Sequence, residues 1–202
     1  MPAISDQRIE DFLGRLASDA PTPGGGAVAG LVGALASALG SMVVAIAGHR
    51  ADAKILQPFL VGFEESRGRF LELAAEDEAA FDAVMQELRR PKDDPQRAKS
   101  LTISLQRAAG VPLAMAGTCV AVLELLRDLG PHASRHVTSD IGAAAHLARA
   151  AGHAALLNVT INVAYLQDSA VTDRLTADRD RLAESLDSLS EVVLGSVHAR
   201  IG

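Results

Sequence analysis

Two aspartates stand where a carboxylate could act as a general acid or base. Asp77 lies four residues before Phe81, so both side chains fall on roughly the same helix face, and Phe81 is expected to face the core. Such a carboxylate either has a raised pKa and moves protons or forms the solvated flank of an acidic helix. Asp140 follows Ser139 at the start of a later helix, where a carboxylate can also simply stabilise the helix dipole.

Two amides could recognise the polar edge of a ligand. Asn158 and Asn162 are one helical turn apart in a stretch that is otherwise apolar all round, and buried amides must be hydrogen-bonded. They either bind the edge of a heterocycle or pair across a helix interface, and the interface is slightly favoured. Asp140 lies on the same side of that helix as Asn158 but about 27 Å away along its axis, so one small ligand cannot contact both.

A run of three glycines could form a wall of a binding site. Thr22 and Pro23 precede Gly24, Gly25 and Gly26, which lead directly into a helix, and the free N–H groups of a first helical turn bind anions. Without a Cβ at these positions a ligand can lie against the backbone, whereas the alternative is a flexible entry turn. The residues alone favour neither interpretation.

The remaining reactive side chains give weaker indications of a functional site. Cys119 lies in a long apolar run, where a buried and inert thiol is expected. His132, His136 and Asp140 recur at a spacing of four, which would suit a metal ion on a helix, but a Gly-Pro pair just before them favours a loop. We therefore predict no metal site.

The spacing of apolar residues and the positions of glycine and proline predict helices throughout and no strand. A first amphipathic helix runs from about Ser5 to Ala17. Further helices are predicted from Pro58 to about Leu88, from Asp94 with Pro95 at its first position to Gly130 with a kink at Pro112, from Ser139 to about Leu166, and from Thr172 onward. The chain is expected to form one domain over residues 1–202, an all-α bundle of about six helices.

The longest uncharged stretch, from Ala20 through His49, contains the helix that the glycines open. Its large side chains form one continuous stripe, and its small residues cover the other side, where another helix backbone can approach closely. The stripe comprises Val28, Leu31, Val32, Leu35, Leu39, Met42, Val43 and Ile46. Lipid would favour large apolar residues all round, so we interpret the segment as a central buried helix and not as a membrane span.

The composition excludes several functions. The net charge is −6, the basic residues are scattered, and the chain has only five Phe, one Tyr and no Trp, so nucleic acid is not an expected partner. A single cysteine fits a reducing compartment, and the acidic residues between Met1 and Asp11 do not fit a signal peptide. We expect a cytoplasmic protein.

Taken in order, these motifs resemble the cyclodeaminase/cyclohydrolase family along nearly the whole chain. The resemblance rests on Pro21-Thr22-Pro23-Gly24-Gly25-Gly26-Ala27-Val28-Ala29 with the helix ending in Ser41-Met42-Val43, and on Asp77-Glu78-Ala79-Ala80-Phe81, Arg90-Pro91-Lys92, Val111-Pro112-Leu113, Ser139-Asp140-Ile141-Gly142-Ala143-Ala144 and Asn158-Val159-Thr160-Ile161-Asn162. That family implies an all-helical fold that assembles as a homodimer, with a tetrahydrofolate derivative as substrate and no further cofactor.

The resemblance also implies the reaction and its rivals. The first expectation is conversion of 5-formiminotetrahydrofolate to 5,10-methenyltetrahydrofolate with release of ammonia, which needs a separate formiminotransferase to supply the substrate. The alternatives are a methenyltetrahydrofolate cyclohydrolase that yields 10-formyltetrahydrofolate and a non-catalytic helical scaffold. A proton shuttle is needed, and we rank Asp140 ahead of Asp77 for it.

The resemblance further implies which residues bind the substrate. The matching positions are Thr22, Pro23, Gly24, Gly25, Gly26, Phe81, Lys92, Ser139, Asn158 and Asn162. Lys92, Arg50 and Lys99 are the candidates for binding the glutamate tail of the folate, because an acidic protein can hold that tail only through local positive charge.

Overall fold

The computed structural model describes residues 4–48 and 53–202, and these ranges contain helices and no strand. The six α-helices are α1 (Ile9–Leu16), α2 (Gly25–Ala47), α3 (Ala53–Arg89), α4 (Arg97–Leu129), α5 (Thr138–Val163) and α6 (Ser169–Ile201). Short 3₁₀ turns lie at Ile4–Asp6, Gly130–His132 and Arg135–Val137. The predicted all-α bundle of about six helices is confirmed.

Four long helices form the frame of the bundle. The α2 helix packs against α3 and α5, α4 packs against the same two helices, and α6 covers α4 and α5. The core between them contains aliphatic residues and two fully buried Phe side chains, Phe63 and Phe70. A row along α4 is completely buried and comprises Met115, Cys119, Val122, Leu123, Leu126 and Leu129.

The face of α2 that carries its small residues packs closely against α3. A Cβ at Gly33 would lie 2.5 Å from the ring of Phe70, and one at Gly40 would overlap the ring of Phe63. At Gly30 it would lie 2.9 Å from the carbonyl oxygen of Phe70. Because each glycine leaves room for a ring or a backbone group of α3, the predicted close approach on this face is confirmed.

The large stripe of α2 is less covered than a central helix would require. Leu35 is 51% exposed, Met42 38% and Ile46 39%, whereas Ala36 and Ser37 of the same helix are completely buried. By length and composition alone, α2 and the stretch Arg97–His132 could each cross a membrane. In each of these two segments, half of the most apolar part is buried inside the bundle, as happens in the core helix of a globular protein.

The predicted starts of α4 and α5 are wrong, as is that of α3, which begins at Ala53 instead of Pro58, although the helices themselves form. The Oδ1 atom of Asp94 accepts the N–H of Gln96 at 2.9 Å in a turn, and α4 begins only at Arg97. Ser139 lies inside α5, which begins one residue earlier without a side-chain cap. Asp and Ser side chains stabilise turns as readily as caps, so their presence does not fix the first helical residue.

The predicted start of α6 is also wrong. Thr172 lies inside the helix, and the capping residue is Asp168, whose Oδ1 accepts the N–H groups of Ala170 and Val171 at 3.0 and 3.2 Å. An aspartate is at least as good a cap as a threonine, and here it comes first along the chain. Elsewhere, α4 continues through Pro112 as one helix, and its end just before Gly130 is as predicted.

Candidate functional site

A cavity of about 600 Å³ lies where α3, α4 and α5 meet, and its wall is mostly apolar. Its polar lining residues on the helices are Asp77 of α3 and the amides Asn158 and Asn162 of α5, while Tyr165 and Gln167 line it from the connection that follows α5. The other lining residues are Phe81, Val84, Met85, Leu88, Leu101, Leu105, Ala108 and Ile161. A concave, largely apolar space with a few convergent polar groups is the usual form of a small-molecule site.

Asp77 is the carboxylate in this cavity. Among the described residues, no group donates a hydrogen bond to it and no cation pairs with it. Burial therefore raises the pKa of Asp77 from its ordinary value of 3.8 to about 6, and the charge of Glu78 adds to the rise. A carboxylate with this pKa can both accept and donate a proton near neutral pH.

The start of α2 holds Asp77 and Asn158 in place. A Cβ at Gly26 would overlap the Asp77 carboxylate, so this position has to be glycine for the carboxylate to lie where it does. At Gly25 a Cβ would lie 3.6 Å from Nδ2 of Asn158, an ordinary contact, and at Gly24 it would meet open space. The three glycines are thus not equivalent, because only Gly26 is required by the packing of the site.

Both amides line the cavity, and Asn162 also links two helices. Nδ2 of Asn162 donates to the carbonyl oxygen of Ala108 on α4 at 2.9 Å and to that of Asn158 at 2.8 Å. Nδ2 of Asn158 donates to the carbonyl oxygen of Ala154 at 3.0 Å. Asn162 therefore pairs across a helix interface, as one alternative predicted, while the side-chain oxygens of both amides accept no hydrogen bond from the described residues.

Several predicted site residues lie elsewhere. Ser139 and Asp140 are in the first turn of α5, at the opposite end of that helix from the cavity, as the estimate from the helical rise predicts. Lys92 is exposed in the connection between α3 and α4 and does not line the cavity. Thr22 and Pro23 are buried just before α2, next to the turn that borders Asp77.

The structure adds residues that the sequence interpretation did not select. Ile161 and Tyr165 line the cavity together with the two amides, and both side chains are more than half exposed. Their spacing from Asn158, at three and seven residues, is the spacing of one helix face and could have indicated them. Leu101 and Leu105 of α4 gave no such signal, since any core-facing leucine has the same pattern.

The other reactive groups do not form a site of their own. Cys119 is completely buried, and burial raises its pKa to about 12, so the expectation of a buried thiol is confirmed. His132 and His136 lie in two separate 3₁₀ turns, and the ring of His132 contacts that of Phe59. Across residues 4–48 and 53–202, no group of three or more His, Cys, Asp or Glu side chains is arranged to hold a metal ion.

A second aspartate has very different surroundings. Asp187 of α6 accepts a hydrogen bond from Nε of Arg149 at 2.7 Å, and its Oδ1 lies 2.9 Å from Nε2 of His153, both on α5. These hydrogen bonds, that of His153 first, lower the pKa of Asp187 below its ordinary value. The group is exposed and joins two helices at the surface.

The fold and the cavity together define an all-helical protein with a cavity suited to a small molecule, whose wall among the described residues includes one unpaired, partly buried carboxylate. Comparison with known proteins identifies the family, because the formiminotransferase-cyclodeaminase family profile matches residues 8–181. The chain belongs to that family.

Individual relatives support the assignment. The chain is similar to the methenyltetrahydrofolate cyclohydrolase of Methylorubrum extorquens, with 33% identity over 97% of this chain and 98% of the relative. It is 27% identical to the formimidoyltransferase-cyclodeaminase of Mus musculus over 98% of this chain, but it spans only 38% of the length of that protein.

A solved structure supports the fold. The formiminotetrahydrofolate cyclodeaminase of Thermotoga maritima superposes with a TM-score of 0.90, covering 98% of this chain and 100% of the other. At 24% identity this likeness establishes the fold alone.

Proposed function

We propose that the cavity binds a tetrahydrofolate derivative and that the protein acts as a methenyltetrahydrofolate cyclohydrolase, converting 5,10-methenyltetrahydrofolate to 10-formyltetrahydrofolate. The observation that carries the proposal is the partly buried, unpaired Asp77 in a 600 Å³ apolar cavity of a family member. The full-length similarity to the cyclohydrolase of Methylorubrum extorquens supports this reaction ahead of others in the family.

The chemistry requires one proton shuttle. The methenyl substrate carries a positive charge spread over N5, the bridging carbon and N10, which the ionised Asp77 attracts in a cavity of low polarity. Water attacks the carbon and gives a proton to Asp77. The carbon–N5 bond then breaks as Asp77 returns a proton to N5, and the hydroxyl proton is released to water as the formyl group forms on N10. Such proton transfer contributes about 10²–10⁴-fold to the rate.

The amides are suited to orient the pterin. Nδ2 of Asn158 and of Asn162 is engaged with backbone carbonyls, so each presents its side-chain oxygen as an acceptor to the cavity. The 2-amino group and N3–H of a pterin are donors and complement such oxygens. The aromatic ring of Phe81, also in the cavity wall, offers an apolar surface for the substrate rings.

The cyclodeaminase reaction is the second candidate. It is favoured by the similarity of this chain to part of the formimidoyltransferase-cyclodeaminases of Mus musculus and Sus scrofa. Here N10 attacks the carbon of the protonated formimino group (–CH=NH2+), Asp77 takes the N10 proton and passes it to the resulting amino group, and the carbon–nitrogen bond breaks to release ammonia and leave the methenyl cation. A separate formiminotransferase would then be the partner that supplies the substrate.

For either reaction we rank Asp77 ahead of Asp140, which reverses the order that the sequence favours. Asp77 lines the cavity, whereas Asp140 lies at the far end of α5. A role for Asp140 stays a prediction, and within one chain it could not act on the same carbon as Asp77. Neither reaction transfers electrons, so we propose that no cofactor beyond the folate is needed and that a chelator leaves turnover unchanged.

We further propose that the protein is a cytoplasmic homodimer. The exposed part of the α2 stripe, comprising Leu35, Met42 and Ile46, offers an apolar surface for a second copy. Sedimentation of the wild type at micromolar concentration is expected to give twice the chain mass. A monomeric mass at that concentration would contradict the dimer and leave the proposed reaction untouched.

The reaction is tested by spectrophotometry. Methenyltetrahydrofolate absorbs in the near ultraviolet, so the purified protein should bleach a solution of it faster than buffer does. With 5-formiminotetrahydrofolate, the second candidate predicts a rise in the same absorbance together with ammonia. If a high concentration of protein leaves both compounds unchanged, the catalytic proposal fails and a non-catalytic helical scaffold becomes the better interpretation.

A further inference from the structure

A second cavity adjoins the first along α3. It has a volume of about 280 Å³ and is lined by Pro21, Phe81, Asp82, Met85, Gln86 and Arg89. Phe81 and Met85 also line the first cavity, so the two cavities share this part of their walls. A ligand longer than the first cavity can therefore continue over Phe81 and Met85 into the second.

The proposed substrate is such a ligand. A folate carries a pterin at one end and a p-aminobenzoylglutamate tail at the other, and the tail has carboxylates that require positive charge. Among residues 4–48 and 53–202, no Lys, Arg or His side chain lines the first cavity, including its end at Tyr165 and Gln167. The second cavity contains one, Arg89, in the last turn of α3.

Arg89 is available to bind a carboxylate. It forms no ion pair or side-chain hydrogen bond with the part of the chain that the structure describes, whereas its neighbour Arg90 is paired with Glu87 at 3.1 Å and Asp94 at 3.6 Å. Asp82 lies seven residues before Arg89, about two helical turns away, and its negative charge repels a carboxylate from that end of the cavity. The charged end of the tail is thereby directed to Arg89.

The other proposed cations are less well placed. Lys92 and Lys99 are exposed and line neither cavity, and Arg50 lies outside the described residues. Resting on the proposed function, we infer that the second cavity holds the p-aminobenzoylglutamate tail and that Arg89 binds its carboxylate. The guanidinium fork of arginine matches a carboxylate with two parallel hydrogen bonds, which a glutamine cannot reproduce.

The test compares Arg89→Gln with Arg90→Gln on two substrates, 5,10-methenyltetrahydrofolate and 5,10-methenyltetrahydropteroate, which lacks the glutamate. Arg89→Gln is expected to raise KM for the folate about tenfold with kcat changed less than twofold, and to leave both constants for the pteroate unchanged. Arg90→Gln should leave the kinetics of both substrates unchanged. Arg89→Lys, which keeps the charge but not the fork, should raise KM by an intermediate factor.

The outcomes separate this inference from the reaction itself. If the wild type turns over the folate and Arg89→Gln has the same KM, the inference is wrong and the proposed reaction stands. Equal losses on the two substrates would also overturn it, because they would indicate a structural role for Arg89. If the wild type turns over neither substrate, the reaction fails and the tail site fails with it.

Discussion

Asp77 and Asp187 are aspartates on long helices of the same bundle, and their surroundings are opposite. Asp77 lies in the cavity beside α2, with no hydrogen-bond donor among the described residues, and burial raises its pKa to about 6. Asp187 lies at the surface between α5 and α6, where Arg149 and His153 bond to it and lower its pKa. One region leaves a carboxylate unpaired at a cost to stability, and the other uses a carboxylate to join two helices.

The difference indicates which acid is free for chemistry. A paired carboxylate has its lone pairs engaged and holds its proton weakly, so it is a poor shuttle at neutral pH. An unpaired carboxylate in a cavity holds a proton more tightly and has a free face for a substrate. Substitutions at and around the two aspartates test this contrast.

Asp77→Asn should abolish most turnover. The amide keeps the size of the carboxylate but cannot accept the proton, so kcat for 5,10-methenyltetrahydrofolate is expected to fall by about 10²–10⁴-fold with a folded protein. The matched control is Asp187→Asn, measured under the same conditions. Turnover by Asp77→Asn within threefold of the wild type would remove Asp77 from the mechanism and return attention to Asp140.

Gly26→Ala should impair turnover only by displacing the Asp77 carboxylate. The new Cβ overlaps the Asp77 carboxylate and displaces it, and a shift of about 1 Å in a reacting group can cost about 10²-fold in rate. Gly24→Ala, whose Cβ meets open space in extended backbone, should retain the wild-type rate. Equal rates for the two variants would show that the first turn of α2 does not position the carboxylate.

The pH dependence of turnover should follow Asp77. Water attack needs the ionised carboxylate, so kcat/KM is expected to fall about tenfold per pH unit below about pH 6, well above the ordinary range of an aspartate. Asp187→Asn should show the same fall in kcat/KM at low pH, because Asp187 is not in the cavity. A profile that stays flat down to pH 5 would contradict the role of Asp77 as the base.

The same burial predicts that Asp77 lowers the stability of the protein at neutral pH. Because the pKa of Asp77 is raised on folding, its favourable contribution is present below about pH 4 and is lost as the pH rises through about 6. Asp77→Asn should therefore unfold at a higher temperature than the wild type at pH 7, with a gain on the order of 1–2 kcal/mol. The gain should vanish near pH 4, and a loss at pH 7 would contradict the account.

Asp187→Asn should have the smallest effect. The pKa of Asp187 is lowered on folding, so its contribution is present at neutral pH and is lost as the pH falls below the ordinary aspartate range. Exposed pairs of this kind stabilise by about 0–1 kcal/mol, and turnover should be unchanged. A large loss of activity in this variant would mean that the cluster at α5 and α6 takes part in the reaction or in assembly.

The amides and the glycines show how much of the candidate site can be predicted from the sequence. Two asparagines in an apolar helix had to be hydrogen-bonded, and the chain alone left open whether a ligand or another helix satisfied them. The structure contains both features, because the nitrogen of Asn162 bonds to Ala108 of α4 while its oxygen faces the cavity. The sequence shows the three glycines only as one run, and the packing around them in the structure distinguishes Gly26 from Gly24.

The helices, the two faces of α2 and the wide separation of Asp140 from Asn158 can be read from the sequence alone, because each follows from helical periodicity and rise along one chain segment. Which carboxylate shares a cavity with the amides depends on tertiary packing. Asp77 and Asn158 are 81 residues apart in sequence, yet both line the cavity and lie beside the start of α2, where Gly26 lacks the Cβ that would overlap the Asp77 carboxylate. Contacts of that kind depend on how three helices pack together, which no local pattern specifies.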